Sequence, residues 1–382
     1  MYPFGAFFSF IYFENLFNHE WTRCNIIIES DDYNMKYDKS KREFIKKSAG
    51  ITFALYGMSK LSHYIDDEAI AETNDHGVII ARDLRAIDDN FKVNYQIIRK
   101  MLNDSVMKLT KLTSPEKAWK SLFKSDDVVG IKVNTLSGKM MSSHTEIVMA
   151  IVEGLRLASV KDIIIWDKSD QELIESGFTL NRKSNNEPRC FGTTPDIGYA
   201  DDISMFGTVA SKLSRIASHC TAFVNVPVLK HHSMAGVTIS MKNWFGAIHN
   251  PHKYHFDVNS KNKMVSSCDY IPDVNSLLFT ELKKRQPLIV CDGLLSQYDK
   301  GPGYIPTKAW KYSGLIVSND PVALDYIGTK IIEDKRKLEG EKSLPDIGRN
   351  PDYIAIASDN NHNLGTNDPA KIKLEIIGNL TP

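Results

Sequence analysis

Residues 128–134 read VVGIKVN and residues 163–167 read IIIWD, two apolar runs rich in Val and Ile that predict buried β-strands. Residues 145–159, TEIVMAIVEGLRLAS, lie between them, and Ile147 and Ile151 recur there at helical spacing. A strand, an amphipathic helix and a second strand in this order predict a parallel βαβ unit, because parallel neighbours need a crossover connection. This unit decides the fold class.

The same alternation continues towards the carboxyl terminus. Apolar runs at 222–229, 288–292 and 315–319 predict three further strands, and residues 322–333 have a helical pattern. Strands that are apolar on both faces are typical of sheets covered on both sides. The sequence therefore predicts an α/β fold with a largely parallel or mixed sheet, helices on both faces and a single large domain over residues 75–380.

Two of the predicted helices begin with capping signals. Ser143 and Glu146 have the spacing of a capping box, in which each side chain binds the backbone N–H of the other residue. Asp320 is followed by Pro321, which predicts an N-cap with proline at the first helical position. Both signals place the carboxyl end of a strand directly before a helix.

The composition excludes several classes of protein. Lys and Arg (47) balance Asp and Glu (47), so the chain lacks the basic excess expected of a nucleic-acid-binding protein. None of the five cysteines forms a C-x-x-C pair, so no built-in iron-sulfur cluster is expected. P-loop, G-x-G-x-x-G, G-x-S-x-G and H-E-x-x-H motifs are absent from the sequence, which disfavours the common nucleotide-binding, esterase and zinc-protease classes.

The amino-terminal residues differ from the rest of the chain. Residues 1–34 read as an upstream extension, with Met35 as the expected start, and residues 35–66 resemble a twin-arginine export leader with Lys41 and Arg42 in the twin-arginine slots. A working leader would place the protein in the periplasm or another extracytoplasmic space, with membrane contact only through the leader. The alternative is an amphipathic helix on a cytoplasmic protein.

Polar residues stand where the predicted strands end, and ligands of open α/β sheets bind at the carboxyl ends of strands. Amine, amide and carboxylate groups from several strands therefore predict a binding site for a small anionic ligand. The expected catalytic residues are Asp167, Asp292 and Lys230. The expected substrate- or cofactor-binding residues are Lys132, Asn134, Asn225, Lys242, Asn243 and Gly246.

Five of the eleven histidines lie within residues 225–255. If Asn250 caps a helix, His252 and His255 lie on one face of it, a spacing that suits a metal or a phosphate. The expected metal ligands are His232, His252 and His255, and the alternative is a solvated loop. The predicted cofactor is a transition metal or a metal-bearing nucleotide, because neutral imidazole binds such metals.

Residues from 80 to 378 resemble the family called domain of unknown function 362. The resemblance lies in the order and content of segments 127–134, 228–232, 236–246, 291–293, 301–303 and 318–325, together with His255. It implies no established activity. More remotely, the order of His232, Gly236, Lys242, Gly246 and His255 resembles the amino-terminal domain of lactate racemase, a resemblance that implies lysine and histidine holding a nickel-bearing nucleotide.

Two hypotheses of function follow from these residues. In the first, the protein is an enzyme that uses a metal or metal-bearing cofactor in redox or isomerisation chemistry on a small carboxylate. In the second, it is a non-catalytic extracytoplasmic protein that captures an anion. The first is favoured because imidazole and carboxylate groups, which suit proton transfer, accompany the donors that anion capture alone needs.

Overall fold

A ten-stranded mixed β-sheet forms the centre of the protein within residues 75–183, 187–258, 264–266 and 268–379, the part of the chain that this computed structural model describes. The strands of this part are β1 (Gly77–Asp83), β2 (Val128–Val133), β3 (Asp162–Trp166), β4 (Arg189–Cys190), β5 (Ser204–Phe206), β6 (Val209–Ser211), β7 (Ala222–Val226), β8 (Val228–His232), β9 (Gly236–Thr238), β10 (Phe256–Val258), β11 (Met264–Ser266), β12 (Arg285–Gln297), β13 (Ala309–Ser318) and β14 (Lys373–Asn379). The predicted extension and leader, residues 1–66, lie outside the described residues.

The strand order is β14-β1-β13-β12-β7-β2-β3-β4, with β8 beside β12 and β9 beside β8. The strands β12, β7, β2, β3 and β4 run parallel to one another, whereas β13 is antiparallel to both of its neighbours. The pairs β5-β6 and β10-β11 form separate hairpins. The sheet is therefore largely parallel but mixed, which confirms the predicted fold class.

Helices follow the strands as the βα pattern predicts. The α-helices are α1 (Tyr95–Thr110), α2 (Pro115–Leu122), α3 (Thr145–Leu157), α4 (Asp170–Glu175), α5 (Arg215–His219), α6 (Ser240–Asn243), α7 (Tyr270–Ser276), α8 (Pro321–Leu338) and α9 (Tyr353–Ala357). Short 3-10 helices span Trp244–Ala247, Pro251–His255, Pro306–Lys308 and Pro345–Ile347, and a π-helix spans Leu277–Glu281. In the described part of the chain, no helix has both the length and the apolar character needed to cross a membrane.

The two faces of the sheet carry separate apolar cores. In β2, Val129 and Ile131 pack on one face, in the same cluster as Ile147 of α3. On the other face, Trp166 of β3 belongs to a cluster that contains Leu324 of α8. Successive residues of a strand point to opposite faces, so one run of apolar residues serves both cores. The prediction of helices on both faces is confirmed.

One predicted cap forms and the other does not. Asp320 accepts the N–H groups of Val322 and Ala323, both at 2.8 Å, as expected of an N-cap. Ser143 is not part of a capping box: its hydroxyl donates to the carbonyl of Val226 at 2.6 Å and accepts the N–H of Asn134 at 2.9 Å. Ser143 instead joins the ends of the adjacent strands β2 and β7. The Asn134 N–H and the Val226 carbonyl bind its hydroxyl in place of the N–H groups at the start of α3.

Gly154 of α3 packs closely against the buried Trp119 of α2. A Cβ atom at this position would lie 2.1 Å from the indole ring. We therefore expect Gly154→Ala to lower the free energy of unfolding by about 1–3 kcal/mol, although alanine is the better helix former. Urea denaturation measures this change. In a double-mutant cycle, Trp119→Leu should remove most of the cost, and full additivity would contradict the proposed clash.

Candidate functional site

The predicted site residues form two neighbouring clusters where the parallel strands end. The first, here called the amide cluster, contains Lys132, Asn134, Asp167, Asn225 and Asn243. The second, here called the amine–imidazole cluster, contains Lys242, His255 and His232. The clusters adjoin because Asn243 and Lys242 are consecutive residues of α6.

Lys132 reaches the site from β2, on the face opposite Val133. Its ammonium donates to Asp167 Oδ1 at 2.6 Å and to the carbonyl of Val133 at 2.7 Å, and both side chains of the ion pair are buried. Asp167 Oδ2 accepts the N–H and the hydroxyl of Thr135, both at 2.9 Å. A buried ammonium needs such a partner. The pair therefore holds the ends of β2 and β3 together.

Three asparagine side chains form a chain of hydrogen bonds beside this pair. Asn134 Nδ2 donates to Asn243 Oδ1 at 3.0 Å, and Asn243 Nδ2 donates to Asn225 Oδ1 at 2.8 Å. Asn225 Nδ2 in turn donates to the carbonyl of Ser240 at 3.0 Å. This chain fixes α6 on the ends of β2 and β7. The buried Asn134 Oδ1 has no partner within the described structure and is available to a donor.

Gly246 lets the 3-10 helix after α6 approach the ion pair. A Cβ atom there would lie 2.6 Å from Asp167 Oδ1 and 2.9 Å from Lys132 Nζ. Any larger residue would displace one of the paired side chains. The contribution of Gly246 to the site is therefore close packing against the pair.

Lys242 is buried without a carboxylate partner among the described residues. Its Nζ lies 2.8 Å from His255 Nε2 and 3.6 Å from the centroid of the Phe245 ring. Burial holds the pKa of Lys242 well below its usual range. Burial, and then the charge of Lys242, lowers the pKa of His255 to about 4. The two groups therefore have too few negative neighbours, and an anionic ligand would stabilise the protonated amine.

The two histidines that end β8 accept hydrogen bonds from the backbone. His231 Nδ1 accepts the N–H of Gly301 at 3.1 Å, and His232 Nδ1 accepts the N–H groups of Met234 and Ala235 at 3.1 Å each. Burial lowers the pKa of His231 to about 4 and holds that of His232 well below its usual range. Both rings are therefore neutral, with the proton on Nε2.

Lys230 lies between these clusters and the end of β12. Its Nζ donates to the carbonyl of Met141 at 2.9 Å and to the hydroxyl of Ser137 at 3.1 Å, and the side chain is fully buried. Burial lowers the pKa of Lys230 to about 7, against the opposing effect of Asp167 and Asp292. An amine with this pKa exchanges protons near neutral pH, as acid–base chemistry requires.

Asp292 and His144 form a hydrogen-bonded pair that the sequence did not predict as a pair. Asp292 Oδ2 lies 2.7 Å from His144 Nδ1 and accepts the His144 N–H at 2.8 Å. His144 directly precedes α3. Its position between the end of a strand and the start of a helix is the sequence signal that could have identified it.

The predicted histidine ligands do not fit a metal ion. The protonated Nε2 of His232 has no lone pair to offer, and His255 Nε2 faces Lys242. His252 is exposed, and its ring centroid lies 6.3 Å from that of His255. Asn250 makes no side-chain cap and begins a 3-10 helix rather than an α-helix. Among the residues described, no three His, Cys, Asp or Glu side chains could together hold a metal.

The family model for Domain of unknown function (DUF362) matches residues 129–330, more than half of the chain. The chain therefore belongs to this family, as the sequence resemblance predicted. No curated protein matches the chain.

Two solved structures resemble the fold. One is a protein from Thermotoga maritima, with 11% identity, a TM-score of 0.38, and coverage of 64% of this chain and 59% of that one. The other is the lactate racemase apoprotein from Thermoanaerobacterium thermosaccharolyticum, with 12% identity, a TM-score of 0.38, and coverage of 72% and 60%. The chain spans about three fifths of the length of each structure.

The neutral state of His231 makes stability depend on pH. The pKa of His231 is about 4 in the folded protein and near 6.5 in the unfolded chain. Its contribution to the free energy of unfolding is therefore complete above pH 6.5 and is lost as the pH falls towards 4. In His231→Asn, Oδ1 can still accept the Gly301 N–H. We expect its free energy of unfolding to depend less steeply on pH between 6.5 and 4.5, by up to about 1.4 kcal/mol per pH unit.

Urea titrations across this range measure the slope, and His362→Asn is the control. Burial lowers the pKa of His362, but its hydrogen bonds to Asp273 and Asp359 outweigh that effect, so its pKa is raised. The contribution of His362 to the free energy of unfolding is therefore complete below pH 6.5 and is lost as the pH rises. The control should therefore change the slope above pH 6.5 and leave the acid slope as in wild type. An unchanged acid slope in His231→Asn would contradict the lowered pKa of His231.

Proposed function

We propose that the protein is an enzyme that binds a small carboxylate and catalyses proton transfer on it, a reaction of the isomerisation class. The observation that carries this proposal is Lys242, a buried amine whose hydrogen-bond partner is His255 Nε2 at 2.8 Å and which has no carboxylate partner among the described residues. A buried ammonium without an anion is costly. A substrate carboxylate at Lys242 would supply the missing charge.

The chemistry of the neighbouring groups supports proton transfer rather than binding alone. The pKa of Lys230 is about 7, and the neutral imidazole of His232 interacts electrostatically with both Lys230 and Lys242. Groups that change protonation near neutral pH are effective general acids and bases. A base of this strength can remove a C–H proton that an adjacent carbonyl group acidifies. We therefore propose small oxo acids as the substrate class.

The expected metal or metal-bearing cofactor is not part of this proposal, because the histidines expected to hold it make other hydrogen bonds. The alternative of a non-catalytic anion-binding protein uses the same Lys242 site. It differs in one measurable property, which is that the bound anion would undergo no proton exchange.

The first test measures binding of pyruvate and 2-oxobutanoate by thermal shift and calorimetry. We expect both anions to stabilise the wild-type protein and Lys242→Met to weaken their binding about 10- to 100-fold, the loss of one charge-assisted hydrogen bond. Lys161→Met, which changes an exposed lysine, should bind as wild type does. Equal binding by wild type and Lys242→Met would contradict the assignment of the anion site.

The second test follows proton exchange in D2O. The enzyme should incorporate deuterium at C3 of pyruvate or 2-oxobutanoate faster than buffer does, as measured by NMR, and Lys242→Met should reduce that rate at subsaturating substrate. Stabilisation of the protein by these anions without any exchange would favour the anion-binding alternative.

Export is a separate proposal that rests on the resemblance of residues 35–66 to a twin-arginine leader. Fused to a reporter that works only outside the cytoplasm, this segment should give a signal, and replacing Lys41 and Arg42 with glutamine should abolish it. A reporter signal that survives this replacement would show that the twin-arginine route is not used.

A further inference from the structure

His144 is held by a carboxylate that is closed off from solvent. Asp292 is fully buried, and its Oδ2 lies 2.7 Å from His144 Nδ1. The other oxygen, Oδ1, accepts the N–H of Leu294 at 3.0 Å. Both carboxylate oxygens thus have partners, and the imidazole has one fixed orientation. The His144 side chain is 14% exposed, whereas Asp292 has no exposed surface.

The hydrogen bonds assign different tautomers to the histidines of the site. His231 and His232 accept backbone N–H groups at Nδ1, so Nε2 carries the proton. His255 donates from Nδ1 to the Pro251 carbonyl at 3.1 Å, and its Nε2 faces Lys242. His144 donates from Nδ1 to Asp292, which leaves the Nε2 lone pair without a partner in the described structure. Among these four residues, His144 alone presents a free base.

The loop that leads from β2 to His144 also binds Lys230. The lysine Nζ contacts Ser137 and Met141, both in this loop. The charged groups that face the pair are Glu146 of α3, which acts on His144, and Lys230 of β8, which acts on Asp292. Burial lowers the pKa of His144, but the attraction of Asp292, together with that of Glu146, outweighs burial, so its pKa is raised.

We propose that His144, oriented by Asp292, is the base that removes the proton from the bound substrate and later returns it. This inference rests on the proposed function. The C–H bond next to the substrate carbonyl breaks, its electron pair forms the enolate, and the proton forms a bond with His144 Nε2. The resulting imidazolium lies against the Asp292 carboxylate. Return of a proton from Nε2 to the same carbon restores the neutral ring and the keto form.

The test uses the deuterium exchange of pyruvate and 2-oxobutanoate by the full chain. His144→Gln should lower the exchange rate by about 100- to 10,000-fold, the usual contribution of a general base, while the thermal shift by the same anions stays as in wild type. Asp292→Asn should also lower the rate, because the amide does not stabilise the imidazolium. His362→Asn changes a histidine with carboxylates at both nitrogens and should keep the wild-type rate.

The outcomes separate this inference from the function on which it rests. Wild-type exchange that persists in His144→Gln would overturn the role of His144 and leave the proposed function intact. Binding without exchange in wild type, or no binding at all, would overturn both. Loss of binding and exchange together in His144→Gln would show that His144 shapes the anion site and would overturn its role as the base.

A second measurement needs no substrate. Diethyl pyrocarbonate modifies the free lone pair of an imidazole, so peptide mass spectrometry should find His144 modified faster than His231 and His232. At an alkaline pH, where the His144 ring is neutral in both proteins, Asp292→Asn lowers the basicity of His144 without opening the site and should slow its modification several-fold. The inference is overturned if His144 reacts no faster than His231, or if Asp292→Asn leaves its rate unchanged.

Discussion

The burial of polar side chains on an inward-facing sheet surface governs the structure of this site. In β2 and β7 the two-residue period places Lys132 and Asn225 on the face where Trp166, Phe223 and Trp244 pack. A charge or amide in such surroundings must find a partner or destabilise the fold. Asp167, the asparagine chain and the close approach of Gly246 supply those partners.

The exception to this pairing is informative about function. Lys132 has a carboxylate at 2.6 Å, but Lys242 has an imidazole and an aromatic ring, and Lys230 has neutral oxygens. Paired groups hold strands together, whereas unpaired buried amines lower stability and mark candidate functional sites. The site thus combines a rigid half, the amide cluster, with a half that contains Lys242 and Lys230, two amines whose hydrogen-bond partners among the described residues include no carboxylate.

The histidines of the site also fall into two groups, which differ in the ring nitrogen that carries the proton. Backbone N–H groups hold His231 and His232 in the form with the proton on Nε2, and burial keeps both rings neutral. Asp292 holds His144 in the opposite tautomer. Residues of one type therefore have different chemistry, which is set by the hydrogen bonds at Nδ1.

The sequence alone determined the α/β fold, the positions of the central strands and the family, because apolar periodicity and ordered motifs are local properties. Every residue of the two clusters was also expected from the sequence, since polar residues that follow apolar runs can be recognised without a structure. The sequence did not predict β1, β14, the full length of β12, or the use of Ser143 to join strands rather than cap a helix. Only the tertiary structure decided which amine has a carboxylate and which nitrogen of each histidine carries the proton. These properties depend on contacts between residues far apart in the chain, such as His144 with Asp292, and no local pattern encodes them.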